Sequence, residues 1–413
     1  MEQAIAVLDF GKTRSKLSLF SQAGERLLGL EAPAAGLRDR TPWRLDLECQ
    51  EAWMLDALAS AARVAEITAI VPVGHGAAGV LTDGDHPVIA LDYEAEPPAP
   101  IAAAYEERRD PFEATLSPRL PQGLNLGLQL FWLERLRPDL WPARGEALLW
   151  PQYWAWRLTG ERASELTSLG CHSDLWRPAE RRFSDLAIDH GWDWRLGPLR
   201  GAREIAGEVR PALAAALGLP RRCRVLVGLH DSNAALVAAR ALAGAASGPF
   251  AVVSTGTWFI TMASGGTAPP RFDPAEDMFA NIDVEGRLVP TARFMGGRDY
   301  ETWMGEALGA AGDPDRFEEA AALTDWRASP PRLRATRAAL ELARNTARSL
   351  ELLGAQGPIV LEGRFARDAA FAAALRRLRP GASLAPAMLV DGVALGALSL
   401  ALGEGRDAPA VRA

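Results

Sequence analysis

The chain has 413 residues, 48% of them hydrophobic and 23% charged, and its 45 basic and 52 acidic side chains give a formal charge of −7. That length favours two domains, each with its own core, and an acidic balance with the basic residues spread along the chain argues against a nucleic-acid footprint. Glu2 stands where a signal peptide needs a basic residue, and the most apolar stretch, 234–253, is interrupted by Arg240, so neither export nor a membrane span is expected.

In chain order, 4–10 reads as a buried strand, 16–20 as its hairpin partner and 26–32 as a third antiparallel strand. A helix is predicted over 47–65, then a strand over 67–73 that ends in Gly74-His75-Gly76. Residues 120–200 are mostly helical and hold Trp132, Trp141, Trp150, Trp154, Trp156, Trp176, Trp192 and Trp194. Large aromatics at helical spacing are mostly core, with one or two left to line a pocket. A strand over 224–229 leads into His230-Asp231 and a helix over 232–242.

After the small-residue linker 243–249, the opening pattern returns as a strand over 250–254, the turn Thr255-Gly256-Thr257 and a strand over 258–263. This echo predicts two related α/β domains, 1–245 and 246–413. Short strands around Asn281 and Val289 follow, then a helix over 332–353, a strand over 359–361, and helices over 368–378 and 392–402. From Gly403 onward the chain reads as frayed.

Cys49, Cys171 and Cys223 are odd in number with no C-x-x-C pair, which argues against a disulfide framework or a thiolate metal site and points to a reducing cytoplasm. They read as small, partly buried hydrophobes. Lys12 and Lys16 are the sole lysines in a chain that otherwise uses Arg. Either a compact ammonium is wanted there or both survive by chance.

The segment 9–16 lies between two strands, so it is not a Walker loop, which must present a helix N-terminus to phosphate. A glycine turn can still bind phosphate if backbone N–H groups, hydroxyls and a lysine converge on it. Asp9 at the strand end would hold Mg²⁺ or would cap an ordinary hairpin. Ser254-Thr255-Gly256-Thr257 supplies a second such turn. Asp231 would take a proton from an attacking hydroxyl or would cap the helix that follows it.

These segments, in this order and spacing, resemble the FGGY family of carbohydrate kinases, of the actin- and hexokinase-like ATPase superfamily, over nearly the whole chain. Asp9-x-Gly11-x-Thr13-x-x-Lys16 resembles the first phosphate motif, Gly228-Leu229-His230-Asp231 the catalytic-base segment and Val253-Ser254-Thr255-Gly256-Thr257-Trp258 the second phosphate motif. Leu128–Leu133 with Pro138 resembles the signature helix, Trp156-Arg157-Leu158-Thr159-Gly160 a helix ending in Leu-Thr-Gly, and Leu361–Asp368 with Phe371 the adenosine motif. Val73-Gly74-His75-Gly76 resembles the sugar-contacting segment of xylulose kinases, and Leu91-Asp92-Tyr93-Glu94 falls where relatives place further sugar contacts. Ser232 after His-Asp, and Gly256-Thr257-Trp258, lean toward the rhamnulose- and fuculose-kinase-like branch. The chain departs from the pattern with Gln129 where lysine is usual and Glu362-Gly363-Arg364 where consecutive glycines are usual.

The resemblance implies two actin/hexokinase-like (ribonuclease H-like) α/β domains with a cleft between them. It also implies ATP-dependent transfer of the γ-phosphoryl group to a hydroxyl of a small sugar, a ketose or deoxyketose. Asp231 would be the base, and Asp9 and Asp231 would hold Mg²⁺. Gly11, Lys12, Thr13, Lys16, Ser254, Thr255, Gly256, Thr257, Gly363, Arg364 and Arg367 would bind phosphate and nucleotide. His75, Gly76, Tyr93, Glu94, His230, Asp231 and Ser232 would bind sugar. The expected enzyme is cytoplasmic, with a small-molecule sugar as partner and neither nucleic acid nor membrane; a homodimer is the commonest assembly for such proteins. Two other readings are a non-catalytic sugar or nucleotide sensor that keeps the fold, and an acetate-kinase-like or polyphosphate-cleaving enzyme, against which the Trp-rich middle and the Leu-Thr-Gly helix end speak.

Overall fold

The computed structural model describes residues 1–141, 145–244, 248–266, 271–386 and 391–403. Part of the predicted linker, 245–247, and the tail from 404 lie outside them. The chain divides into two units, one of residues 1–238, 280–288 and 391–412, the other of 239–279 and 289–390.

The first unit opens on β1 (Gln3–Phe10), β2 (Arg14–Ser21) and β3 (Arg26–Pro33), the predicted antiparallel run, with Asp9 opposite Lys16 in the first hairpin. Helix α1 (Leu47–Ala62) starts where the Asp46 carboxylate accepts the Cys49 N–H, and stops three residues before the predicted end. Strand β4 (Glu66–Gly74) then pairs parallel to β1. Both are almost wholly buried, which is why they read as unbroken apolar runs rather than alternating ones.

Helix α2 (Leu126–Leu136) belongs to a satellite core with the small sheet of Gly79–Thr82, Pro87–Ala90 and Glu146–Leu149. Helix α3 (Trp150–Thr159) packs on β4 and ends at Gly160. Of the eight tryptophans in the middle section seven are buried, and Trp194 is exposed. Cys171 and Cys223 are buried as expected, whereas Cys49 is exposed because it lies in the first turn of α1.

Strand β5 (Ile205–Glu208) is followed by β6 (Arg224–Leu226) and β7 (Leu229–His230), and both β6 and β7 pair parallel to β4. One continuous strand was expected here. It breaks at Gly228, whose φ is +81° and where a Cβ would lie 2.2 Å from the Pro72 carbonyl oxygen. The main sheet runs β5–β6–β4–β1–β2–β3. Helix α4 (Asp231–Leu242) begins at Asp231 itself.

The second unit repeats the scheme with β8 (Phe250–Thr255), β9 (Phe259–Ser264) and β10 (Leu288–Phe294), the strand predicted around Val289. The other predicted short strand is Met278–Ile282. Then come α5 (Gly296–Met304), α6 (Pro331–Leu352), β11 (Ile359–Gly363), α7 (Ala369–Leu378) and β12 (Leu384–Pro386). The order β10–β9–β8–β11–β12 matches β3–β2–β1–β4–β6, including the antiparallel hairpin and the parallel neighbour, so the echo in the sequence is a repeated actin-like topology. Helix α8 (Gly392–Leu402) then returns to the first unit and packs on β1 and β4.

Candidate functional site

In the first unit the end of β1 is held from below. The Phe10 ring stacks on Trp154 at 4.0 Å, and the Phe10 carbonyl accepts the Trp150 Nε1–H at 3.0 Å. Two members of the tryptophan cluster thereby fix the strand end from which Asp9 and the turn Gly11-Lys12-Thr13 project. Asp9 is buried, and its Oδ1 has no hydrogen-bond partner among the described residues. Burial, and next the charge of Asp231, push its carboxyl up to about 7; Lys16 across the hairpin pulls the other way, and Asp391, the N-cap of α8, adds to the rise. A carboxylate so crowded by its own sign suits a hard cation. Among the described residues no group of three metal-binding side chains occurs.

Asp231, at the start of α4, accepts at Oδ1 from the Ser232 N–H (2.6 Å) and the Ser232 hydroxyl (3.2 Å), and His230 Nε2 lies 3.1 Å from the same oxygen. The other ring nitrogen of His230 is 3.3 Å from the Asn233 amide nitrogen. An Asn233 NH2 group donating to Nδ1 leaves the ring proton on Nε2, beside Asp231 Oδ1. Oδ2 makes no hydrogen bond among the described residues. Burial keeps His230 neutral by lowering its pKa. The His230 N–H is in turn held by the Thr167 hydroxyl at 3.0 Å, and Cys171 Sγ is 3.4 Å from Nε2. A side chain at Gly76 would run into that sulfur at 2.6 Å, so the glycine lets the loop after β4 close on His230.

His75 is buried, with Nδ1 unpartnered. Burial pushes its pKa down to about 4 against the pull of Asp231, so its ring is neutral. Its ring meets Tyr93 edge-on at 5.4 Å. Burial, with Glu94 and Asp92 behind it, raises the Tyr93 pKa and keeps the phenol a donor. Lys12 turns toward the same place: its ammonium pairs with Asp92, lies 3.5 Å from Glu94 and sits 4.3 Å from the centre of the Tyr93 ring. The first unit thus gathers Asp9, Lys12, Lys16, His75, Gly76, Tyr93, Glu94, His230, Asp231 and Ser232. Gly11 and Thr13 stay on the turn, with Thr13 exposed.

In the second unit Ser254 is in register with Glu362, and Gly256 and Thr257 are exposed at the turn. The Thr255 hydroxyl donates to the Glu362 carbonyl and accepts the Phe365 N–H at 3.0 Å, so it ties β8 to the end of β11. Gly363 follows there with φ +80°. The Arg364 guanidinium lies over the Tyr300 and Phe365 rings, at 5.1 and 5.5 Å, and 3.6 Å from Glu301. Arg367 is exposed. Asp92 lay inside the segment 91–94 without a role of its own, and Trp150, Glu165, Thr167, Asn233 and Asp391 are further participants to which no motif gave a role. For Asp92 the neighbours Tyr93 and Glu94 were a signal, and for Asn233 the spacing i+3 from His230 within one helix turn was another.

A family model described as carbohydrate kinase FGGY, C-terminal domain, matches residues 247–328 and 317–409. The crystal structure of a carbohydrate kinase from Novosphingobium aromaticivorans is 39% identical, with a TM-score of 0.88, over 97% of this chain and 92% of that one. The L-fuculokinase of Haemophilus influenzae is 27% identical over 192 residues, 45% of this chain, and the match spans only 38% of that enzyme's length. A xylulose kinase from Lactobacillus acidophilus, 13% identical, shares the fold with a TM-score of 0.76 over 97% of this chain and 89% of that one.

Proposed function

The chain belongs to the FGGY family of carbohydrate kinases, and on that premise we propose that it transfers the γ-phosphoryl group of ATP to a hydroxyl of a small ketose or deoxyketose. The observation that carries this reading is the setting of Asp231. The Ser232 N–H and hydroxyl both donate to Oδ1, with His230 Nε2 3.1 Å from the same oxygen, and leave Oδ2 to take the proton of an attacking hydroxyl. Neutral His75, with its unpartnered Nδ1, and the protonated Tyr93 phenol are suited to orient the sugar hydroxyls beside it. Gly11 and Thr13 on the first turn, with Lys16 on β2 beside it, would meet the transferred phosphate, the Lys16 ammonium offsetting its charge.

Mg²⁺, when bound, would spread positive charge between phosphate oxygens, with Asp9 and Asp231 as its protein ligands. Ser254, Gly256 and Thr257 would hold nucleotide phosphates by backbone N–H and hydroxyl groups, and Gly363, Arg364 and Arg367 the adenosine end. The deoxyketose preference is supported by Ser232 after His-Asp, by Gly256-Thr257-Trp258 and by the similarity to a fuculokinase.

The test is coupled ADP release over ketopentoses, ketohexoses, deoxyketoses and polyols, with Mg²⁺ and several nucleotides. Asp231→Asn is expected to lower turnover by about 10³-fold or more while ATP affinity, followed by calorimetry, stays within about twofold. Turnover at the parental rate in that variant would show that the base lies elsewhere.

A further inference from the structure

We propose that Lys12 is a specificity-determining residue of the acceptor site rather than a phosphate ligand, and that Asp92 and Glu94, by holding its charge, restrict that site to uncharged polyhydroxy compounds against sugar acids. This rests on the kinase reading and adds the class of substrate to it. Lys12 extends from the same turn as Gly11 and Thr13, yet its side chain leaves the turn and reaches the loop after Pro87–Ala90. There it joins Asp92, whose side chain is 4% exposed, and approaches Glu94. Asp92 is itself fixed, since its Oδ1 also accepts the Glu94 N–H at 2.9 Å. Glu94 is held from outside by Arg38.

An ammonium has three donors. One goes to Asp92, one points toward Glu94, and the Tyr93 ring lies beneath the group. The third can reach a substrate hydroxyl, which needs a donor and no net charge. A substrate carboxylate needs an uncompensated cation. Here it would meet an ammonium already paired with Asp92, beside a Glu94 that Arg38 holds in turn, with Asp231 acting on the same His75 and Tyr93. In a partly buried place, like charges a few ångströms apart repel strongly, so a sugar acid is rejected by the arrangement rather than merely unassisted.

The experiment compares xylulose and fuculose with gluconate on the full chain, by kcat/KM and by calorimetric titration without nucleotide. The wild-type protein is expected to prefer the uncharged sugars by about 100-fold or more. Asp92→Asn, which frees the ammonium, should raise the ratio of gluconate to ketose use by about tenfold, and Lys12→Met should raise the ketose KM by about tenfold with the ATP KM unchanged. A wild-type protein that takes gluconate as readily as ketoses would overturn the proposal, as would a Lys12→Met protein whose ATP KM alone rises. If the chain binds uncharged sugars over gluconate but releases no ADP with any of them, the kinase reading fails and the charge rule stands; if it binds neither, both fail.

Discussion

Glu165 sits wholly inside the first unit, two hydrogen bonds from the backbone of His230. Its carboxylate caps the short helix Leu166–Leu169 and accepts the Thr167 hydroxyl at 2.6 Å, and that same hydroxyl receives the His230 N–H. Burial pushes its pKa up to about 7 despite those bonds. The folded protein therefore keeps a proton that the unfolded chain, with an ordinary carboxylate, gives up near 4.5. Stability from this group falls as pH rises from about 4.5 to about 7, and the cost of burying the charge is complete above that. It amounts to roughly 3 kcal/mol. Urea unfolding at pH 5 and pH 8 checks it: Glu165→Gln should lose less stability across that interval than the wild-type protein, and equal losses would show that the carboxyl does not titrate as described. His230 and Asp231 were legible in the sequence as a pair at a strand end. Glu165 and Thr167 were not, because they lie in a stretch without glycine turns or period, and only the folded chain brings them under His230.

Among the elements, α8 and α4 approach closely at one glycine. A Cβ at Gly396 would fall 1.7 Å from the Ala234 carbonyl oxygen and 3.2 Å from the Ala238 nitrogen, so the two backbones touch with nothing between them. Gly396→Ala must part the helices and should cost about 1–3 kcal/mol. Because α4 starts with Asp231 and α8 with Asp391, whose charge reaches Asp9, turnover should fall alongside stability. Denaturant midpoint and ADP release measured on one preparation test this; an unchanged midpoint would mean that the helices can slide apart freely. The sequence read α8 to its correct ends, 392–402, since its apolar run is bounded by Asp391 and Gly403. What it packs against was not readable, because a helix apolar on every side does not name its partner sheet. The break at Gly228 was hidden for a related reason: the carbonyl that enforces it belongs to Pro72.

At the scale of the molecule, the repeat of strand, glycine turn and strand was visible because the two hairpins share local chemistry, and it announced the second actin-like unit. The threading between units was not visible. Residues 280–288 interrupt the second unit and 391–412 follow it, yet both belong to the first. A chain ending at residue 245 therefore lacks the helix that covers β1 and β4. Such a fragment is expected to lose cooperative unfolding and to expose apolar surface, which circular dichroism and dye binding would register. A sharp, native-like transition in the fragment would mean that α8 is dispensable. No described helix is long and apolar enough to cross a membrane.

The return of α8 also bears on how the protein is made. Ribosomes deliver residues in order, so β1 and β4 emerge early and wait with one face bare until residue 402 has left the exit tunnel. Throughout that delay the nascent chain offers an uncovered apolar sheet to chaperones and to its neighbours. Translation that stalls within the second unit would release a product whose first unit, although fully synthesised up to Ala238, could not close.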